Sequence, residues 1–356
     1  MTSVNILHIV DSFAKGGAEV LLLNSIKELN AKYPKYNSKV VTLYRYGPLL
    51  EDFNKVTTVT CLNYSGIQDL FDVVKRFRKL IDDWNIDIVH SHLIDSTLVS
   101  RLAKPAGVKL VSTYHSALYN SWTVNYSRGR HIIDKLTAGR TDFAIFVSEA
   151  VQEHITKKVG IRVPNQVLVN FASPDFKPEY KLNSDKELKI VAVGNLKEVK
   201  NHLMAVKTLS ELTEYPISLD IYGEGKLKDS LQALIDETKA NVTLMGAKQI
   251  SSQLLSQYDV FLMTSQYEGM PISLLEAMST GLPSILTDLP MLHETAENAA
   301  VYFNYDSIPE LKEIILGFFH DKKSLERLSS NALQRASHFS IDLYLNSLTE
   351  IYKNLK

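Results

Sequence analysis

The 356-residue sequence has a single cysteine, almost no net charge and no long apolar run. Cys61 has no second cysteine to pair with, so an internal disulfide is excluded and a reducing compartment is expected. Lysine and arginine (39) nearly balance aspartate and glutamate (40), which leaves no overall field to attract nucleic acid or an anionic membrane. No stretch of about 18 apolar residues occurs, and residues 1–11 lack the features of a signal peptide. Composition therefore predicts a cytoplasmic protein without a membrane-spanning helix, and it leaves peripheral contact with a membrane open.

The length of the chain and its 45% hydrophobic residues favour two domains, each with a core of its own. Short runs of Val, Ile, Leu and Phe alternate with amphipathic segments, a pattern typical of an α/β fold with parallel sheets. Strands are predicted at 5–11, 39–43, 59–62, 87–91, 109–114 and 143–148, and then at 189–193, 218–222, 242–245, 260–263 and 284–286. Residues 171–187 are polar, contain prolines and have no periodicity, which indicates a linker. We therefore expect domains at 1–170 and 188–338, followed by a helix at 339–356 whose return to the first domain is left open.

Two glycine motifs follow predicted strands, where parallel sheets bind their ligands. Gly16-Gly17-Ala18-Glu19 opens the first helix, where main-chain N–H groups could face an anion. A tight turn that needs glycine only for its geometry explains the same motif equally well. Gly223-Glu224-Gly225 lacks the third glycine of the dinucleotide fingerprint, so a nicotinamide site is not expected there.

Three histidines lie near the ends of predicted strands. Alternation along a strand places His90 and His92 on one face, as a metal pair would need. Because no third ligand is suggested nearby, we expect structural or cleft-lining histidines and no metal. His115 lies just past another strand, where ligand-binding residues gather, although a lone histidine is more often structural.

The most informative stretch is 264–283, in which a strand end, a glycine turn and a helix follow one another. Pro271 is expected in the first turn of the helix and Gly281 just beyond its last. Glu268 then lies in the entering loop and Glu276 in the second turn, on either side of free N–H groups that suit a phosphate. Two carboxylates that flank a phosphate site suit a nucleoside diphosphate sugar. The alternative is a capped helix with two ordinary surface glutamates.

This stretch resembles the signature of the family-four retaining glycosyltransferases of GT-B fold, in which Glu, seven residues and Glu precede small residues and Gly-x-Pro. Further motifs fit the same family in the same order: Gly16-Gly17-Ala18-Glu19, His115, Val193-Gly194-Asn195-Leu196, Lys200-Asn201, Gly223-Glu224-Gly225 and Val242-Thr243-Leu244-Met245-Gly246. The resemblance implies two Rossmann-like domains that face each other across a cleft, with the acceptor bound at 1–170 and the nucleotide sugar at 188–338. It also implies transfer of a hexose from a UDP- or GDP-sugar to a glycan or lipid-linked acceptor, with retention and without a metal or cofactor, in polysaccharide or cell-envelope biosynthesis.

The resemblance also assigns roles to single residues. Glu268 would contact hydroxyls of the transferred sugar, Lys200 the diphosphate, and His115 the region of the reacting carbon, which makes these three the catalytic set. The donor-binding set is Gly16, Gly17, Asn195, Lys200, Gly246, Gly269, Met270, Pro271, Ile272 and Glu276. Asn195 stands where the family usually has an arginine that holds the diphosphate. Without this arginine, donor binding should be weaker by about 1.5–3 kcal/mol, unless Lys197 or Lys248 supplies the missing positive charge.

The acceptor is expected to contact the first domain. Candidate contacts are Tyr114, Trp122, Arg128 and Arg130. The two arginines belong to a stretch that also contains apolar residues, and this stretch could contact a lipid-linked acceptor at a membrane. Asp134 and Asp142 dilute this basic and apolar character, which favours an ordinary solvated helix. Two rival functions are a nucleotide-sugar epimerase on the same fold and, from another class, a non-catalytic nucleotide-sugar-binding protein.

Overall fold

The computed structural model describes residues 3–45, 47–116, 128–158, 160–182 and 186–356. The described chain forms two compact units. The first contains the residues up to Asn170 together with Ile341–Lys356, and the second contains Phe171–Ser340. None of the helices in these described ranges is both long enough and apolar enough to cross a membrane.

The first unit has a parallel sheet of seven described strands in the order β3-β2-β1-β4-β5-β6-β7. The strands are β1 Val4–Val10, β2 Tyr36–Thr42, β3 Thr58–Cys61, β4 Ile88–His92, β5 Lys109–Tyr114, β6 Phe143–Phe146 and β7 Asn165–Val167. The helices are α1 Gly17–Lys32, α2 Leu50–Val56, α3 Leu70–Asp83, α4 Ile94–Ala103, α5 Arg128–Thr137 and α6 Glu149–Lys158, with α14 Ile341–Leu355 returning from the end of the chain. The six strands that the sequence predicts in this half are all present.

Helix α3 shows why the helices cover this sheet. Val73, Phe77 and Ile81 recur at spacings of four and are buried against the sheet. The opposite face carries charges that pair with one another in solvent, such as Lys79 with Asp83. The basic residues of this helix therefore belong to a solvated face.

The second unit has a parallel sheet of six described strands in the order β10-β9-β8-β11-β12-β13. The strands are β8 Leu188–Val193, β9 Ile217–Tyr222, β10 Val242–Gly246, β11 Val260–Met263, β12 Ser284–Thr287 and β13 Ala300–Phe303. The helices are α7 His202–Ser210, α8 Lys228–Thr238, α9 Ser252–Leu255, α10 Ile272–Thr280, α11 Pro290–Ala296, α12 Ile308–His320 and α13 Lys323–Ala336. Strands β8 and β9 are buried almost throughout, as expected for a sheet covered on both faces.

Strand order positions the candidate residues in each unit. In the first, β1 pairs with β2 on one side and β4 on the other, so the chain reverses its winding direction there. In the second, β8 pairs with β9 on one side and β11 on the other. Ligands of such sheets bind outside the carboxyl ends of the strands at these reversal points. The loops that follow β8 and β11 therefore belong to one potential site.

Two segments join the units along the chain. The residues predicted as a linker group with the second unit, where the N–H groups of Glu179 and Tyr180 donate to Thr280 O at 3.1 and 3.0 Å. Helix α14 belongs to the first unit, where Tyr36 OH donates to Thr349 O at 3.1 Å.

Candidate functional site

The loops after β8, β9 and β10 lie side by side and are joined through their main chains. Gly194 N donates to Tyr222 O at 2.9 Å, and Gly223 N donates to Gly246 O at 3.0 Å. A Cβ atom on Gly223 would lie 2.0 Å from Gly194 O, so the two loops can approach this closely only with glycine there. The Gly223-Glu224-Gly225 motif thus has a packing explanation that needs no dinucleotide.

Lys200 and Glu268 form an ion pair between the loops that follow β8 and β11. Lys200 Nζ lies 2.5 Å from Glu268 Oε1, and Ser265 Oγ donates to the same oxygen at 2.6 Å. The side chain of Glu268 is 9% exposed and that of Lys200 is 22% exposed, so solvent screens the pair only in part. Within the described residues no hydrogen bond reaches Glu268 Oε2. One carboxylate oxygen therefore holds the lysine while the other is available to a ligand.

The main chain fixes this pair in place. Thr264 Oγ1 donates to the carbonyls of Lys200 and Asn201, at 3.1 and 3.0 Å. Gln266 N donates to Val199 O at 2.9 Å. Because β8 and β11 are neighbours, these bonds tie the two loops together. Thr264 thus has a structural role.

Helix α10 directs its N-terminus out of the loop that carries Glu268. Pro271 is the residue before the helix, with φ −74° and ψ 122°, one position earlier than the sequence predicts, and no side chain caps this end. The N–H groups of Ile272 and Ser273 thus have no acceptor within the helix, and the helix dipole adds partial positive charge there. Glu276 is half-buried in the second turn. At the other end Gly281, with φ +86°, closes the helix as expected.

The position where the resembled family has arginine is open to solvent. Asn195 and Lys197 are both exposed in the loop after β8. Lys248, in the loop after β10, has its Nζ 5.7 Å from the ring centroid of Tyr222. Whether either lysine replaces the arginine stays a prediction.

His202, which sequence analysis did not single out, lies directly behind Lys200. It is 5% exposed, and its Nε2 would lie 3.7 Å from a Cβ atom on Gly194. Burial first and the charge of Lys200 second lower the pKa of His202 to about 4, against the opposing effect of the main-chain groups of Gly194 and Asn195. A neutral imidazole therefore supports the loop, and only its position two residues after Lys200 could have indicated it.

The Gly16-Gly17 motif of the first unit lies at the start of α1. Gly16 is the residue before the helix, and a Cβ atom there would lie 2.5 Å from Oε2 of Glu19. Glu19 is buried in the first turn. Gly16 therefore has a geometric function, because it makes room for this carboxylate. Anion binding by Gly16 and Gly17 stays a prediction.

The predicted histidines lie in one cluster with a fourth, His8. His8 on β1 is in register with His90 on β4, and the ring atoms of His8, His90 and His92 that could bind a metal lie within 4.8 Å of one another. His115, just past β5, places its Nε2 3.2 Å from Nδ1 of His92. A third imidazole therefore accompanies the pair, contrary to the expectation from the sequence. That expectation failed because the register between β1 and β4 cannot be read from either strand alone.

Tyr114 is held inside the first unit. Arg101, fully buried on α4, donates from Nη2 to Tyr114 OH at 2.6 Å and pairs through Nη1 with Asp134 on α5. Tyr114 is 9% exposed, and its contact with an acceptor stays a prediction. A small cavity beside it is lined by Leu93, Ile94, Thr97, Thr113, Tyr114, His115, Ser116 and Asp134. Sequence analysis missed the network because Arg101 lies within an ordinary amphipathic helix.

The remaining acceptor candidates lie at or beyond the described residues. Trp122 is outside them, and Arg128 and Arg130 lie in α5 with side chains that are not described. The described face of α5 exposes Ile132 and Leu136, which are 54% and 79% accessible. Exposed apolar side chains close to the cavity favour contact with an apolar partner.

Comparison with known proteins follows this division of the chain. Residues 15–175 match the model described as Glycosyltransferase Family 4. Residues 175–335 match the model described as Glycosyl transferases group 1. The chain is a member of glycosyltransferase family 4.

Relatives of this family 4 member include glycosyltransferases of Escherichia coli. It is 25% identical over 295 residues to the O-antigen biosynthesis glycosyltransferase WbnH of Escherichia coli, covering 80% of this chain and 82% of WbnH. It is also 25% identical over 324 residues to the UDP-Gal:alpha-D-GlcNAc-diphosphoundecaprenol alpha-1,3-galactosyltransferase of Escherichia coli, covering 82% and 81% of the two chains. The family 4 enzyme is therefore a glycosyltransferase with relatives in O-antigen biosynthesis.

A solved structure fixes the fold of the glycosyltransferase. Anabaena Alr3699/HepE, in complex with UDP-glucose, superposes with a TM-score of 0.84 at 18% identity, covering 98% of this chain and 99% of the other. At this identity the likeness shows the fold alone. The glycosyltransferase has the two-domain parallel α/β fold of GT-B enzymes, as the sequence predicts.

Proposed function

We propose that this glycosyltransferase transfers a hexose from a UDP-sugar to a glycan or lipid-linked acceptor, with a GDP-sugar as the alternative donor. The reaction retains the anomeric configuration, needs no metal ion and serves the assembly of a polysaccharide or cell-envelope glycoconjugate. The complex of the Anabaena structure with UDP-glucose supports the donor. The diphosphoundecaprenol in the name of the Escherichia coli relative supports the acceptor.

The observation that carries the proposal is the Lys200–Glu268 pair beside the uncapped N-terminus of α10. The two side chains are 2.5 Å apart and held between two hydrogen-bonded loops at the carboxyl end of the second sheet. An ordinary surface ion pair has two solvated side chains, whereas the carboxylate of Glu268 is buried and accepts a second hydrogen bond from Ser265. This arrangement suits a ligand that carries both negative phosphates and hydroxyl groups.

Departure of the sugar leaves negative charge on the diphosphate and positive charge on the anomeric carbon. Lys200 and the N–H groups of Ile272 and Ser273 are suited to stabilise the developing phosphate charge, because they are oriented before the reaction begins. Glu268 Oε2 accepts from hydroxyls of the transferred sugar, and Glu276 accepts from the ribose. His115 orients the reacting groups from the first unit.

The charged groups around the diphosphate bear on metal independence, and the direction of acceptor attack bears on retention. A lysine and a helix terminus supply the charge that a divalent ion provides in other transferases. No enzyme nucleophile is assigned, since the acceptor attacks from the face that the diphosphate leaves.

The acceptor is proposed to contact the first unit near the cavity of Tyr114 and His115. The exposed Ile132, Ile133 and Leu136 of α5 suit the apolar part of a lipid-linked acceptor. Peripheral membrane contact through this helix is part of the proposal.

Donor binding can be tested by thermal shift with UDP, GDP, ADP and their sugars, each with and without a chelator. One nucleotide class should stabilise the protein, the chelator should change nothing, and Lys200→Ala and Glu276→Ala should abolish most of the shift. Lys312→Ala, which removes a partly exposed lysine paired with Glu211 on the same unit, should retain the shift. A shift that survives both site variants would refute the assigned donor site.

Transfer is distinguished from epimerisation by the products. Release of free nucleotide that depends on an added acceptor glycan supports transfer. A new sugar on the nucleotide in the absence of acceptor would instead establish the epimerase.

A further inference from the structure

Three imidazoles of the histidine cluster form a line that ends at His115. His8 Nδ1 lies 3.5 Å from His92 Nε2, and His92 Nδ1 lies 3.2 Å from His115 Nε2. The ring of His90 packs against that of His92 at a tilt of 32°, with ring centroids 4.2 Å apart, but the nitrogens of His90 bond elsewhere. They contact Tyr352 OH at 2.6 Å and Thr113 Oγ1 at 2.7 Å. The line therefore consists of His8, His92 and His115.

Every imidazole in this line is neutral near pH 7. Burial lowers the pKa of His8 to about 3 and that of His115 to about 4. The pKa of His92 lies well below its usual value, because of burial first and the neighbouring histidines second. A neutral imidazole has one N–H donor and one bare acceptor nitrogen. Since His92 uses both nitrogens, it must donate to one neighbour and accept from the other.

The protons can therefore be arranged in only two ways. If His115 donates inward to His92, then His92 donates to His8, and the proton of His8 is forced onto Nε2. That nitrogen is buried and has no hydrogen-bond partner. If His8 instead donates from Nδ1 to His92, then His92 donates to His115. The Nε2 of His8 then carries no proton and is only an acceptor without a partner. A buried N–H without an acceptor is the less favourable of the two, so the outward arrangement prevails.

We propose that His8 and His92 are positioning residues that hold His115 in the Nδ1-protonated form, with its Nε2 occupied by His92. His115 then offers a ligand oxygen an N–H donor and does not act as a general base. The inference rests on the proposed function in one respect, namely that His115 faces the reacting sugar. The cavity that His115 lines in the first unit is consistent with contact to a ligand.

Metal binding, the other use of clustered imidazoles, would have to break existing bonds. His90 has both nitrogens engaged and so does His92, so ligation would cost each of them a hydrogen bond. The hydrogen-bonded line needs no such change.

The test uses full-length protein labelled with ¹⁵N-histidine. Long-range ¹H–¹⁵N correlation spectra at pH 7 distinguish a protonated from a bare ring nitrogen, and the signals of His115 are assigned with His115→Gln. We expect a proton on Nδ1 and none on Nε2. A proton on Nε2 of His115 in the wild-type protein would overturn the proposal, whether or not any variant folds.

A pair of matched variants separates positioning from packing. His92→Leu should convert His115 to a mixture of both tautomers and lower kcat by about tenfold or more, with a smaller change in the KM for the donor. His92→Asn, which keeps an N–H near the Nδ1 position, should recover part of that loss. His90→Leu removes an imidazole of equal size outside the line and should leave the tautomer of His115 unchanged. If His90→Leu shifts the tautomer as much as His92→Leu does, the line has no specific role.

The spectra test the positioning inference and the assay tests the proposed function, so each can be refuted without the other. If His115→Gln keeps full transfer while the wild-type protein shows the Nδ1 proton, the role of His115 in the proposed function is wrong and the positioning inference stands.

Discussion

Glu268 combines two tasks in one carboxylate, because its two oxygens have different surroundings. Oε1 accepts from Lys200 and Ser265, whereas Oε2 has no such partner within the described residues. A glutamine could fill the same volume but would lose the charge that holds Lys200. The glutamate therefore both orients the lysine and offers an acceptor to a sugar hydroxyl, and loss of the side chain should affect catalysis far more than folding.

Glu268→Ala should leave the protein folded and reduce transfer by about 100-fold or more, since an oriented electrostatic contact is removed. The free energy of unfolding should fall by about 1–3 kcal/mol, because the partly exposed Lys200 can recover some hydration. Circular dichroism melts and a nucleotide-release assay measure the two effects. Glu211→Ala, which breaks an exposed pair with Lys312, is the control and should leave transfer unchanged. Wild-type activity in Glu268→Ala would remove this residue from the mechanism.

Asn195→Arg should restore the charge that the resembled family places at this point. Asn195 is exposed, so the larger side chain has room, and one added charge-assisted hydrogen bond to the diphosphate should lower the Kd for UDP by about tenfold. Isothermal titration calorimetry measures this change. Lys197→Arg, two residues away and also exposed, adds no charge and should leave the Kd near that of the wild type. An unchanged Kd in Asn195→Arg would indicate that another cation already holds the diphosphate.

At the scale of the element, the orientation of α10 depends on the packing of its C-terminal end. Gly281 takes a left-handed conformation with φ +86°, and a Cβ atom there would lie 3.2 Å from Leu333 Cγ and 3.2 Å from Ser329 Oγ on α13. The end of the helix is thereby packed closely against its neighbour. This fixes the direction in which the opposite end, at Pro271, presents its N–H groups.

Gly281→Ala should destabilise the second unit by about 1–2 kcal/mol, from the strained backbone and the added contacts together. Gly317→Ala provides a control of opposite sign. Gly317 lies inside α12 with no atom within 4 Å of a Cβ placed there, so alanine should stabilise the helix by about 0.5–1 kcal/mol. Urea unfolding of both variants measures the difference. Equal effects in the two variants would contradict the conformational argument.

Elements with a buried apolar run could be predicted from the sequence, whereas edge strands and register could not. Strands such as β1 and β8 carry nearly continuous buried residues and were placed correctly. Strand β7, with the mostly exposed Asn165–Val167, has no such run, and β13, at the edge of the other sheet, was also missed. The contact of His8 with His92 depends on the pairing of β1 with β4, which no local pattern contains.

At the scale of the whole molecule, the two units differ in their number of buried neutral histidines. The first contains His8, His90, His92 and His115, all with lowered pKa values because of burial. The second contains His202, whose pKa is about 4. In an unfolded chain each would titrate near the ordinary value of about 6.5. The free energy of unfolding of the first unit should therefore depend more strongly on pH than that of the second.

This difference predicts an unequal response to acid. Below about pH 6.5 the unfolded chain binds protons that the folded histidines do not, so stability decreases as the pH falls towards 4, by up to about 1.4 kcal/mol per pH unit for each histidine. Among the described residues, four such histidines belong to the first unit and one belongs to the second. Hydrogen exchange measured by mass spectrometry between pH 7.5 and 5, corrected for the intrinsic exchange rate, should show protection falling more steeply in residues 3–116 than in residues 186–340. In His8→Leu the slope of the first unit should decrease by about one proton, because leucine has no charged form to favour unfolding. Equal slopes in the two units, or protection that rises as the pH falls, would mean that these imidazoles are protonated in the folded protein, and the neutral hydrogen-bonded line that ends at His115 would then lose its basis.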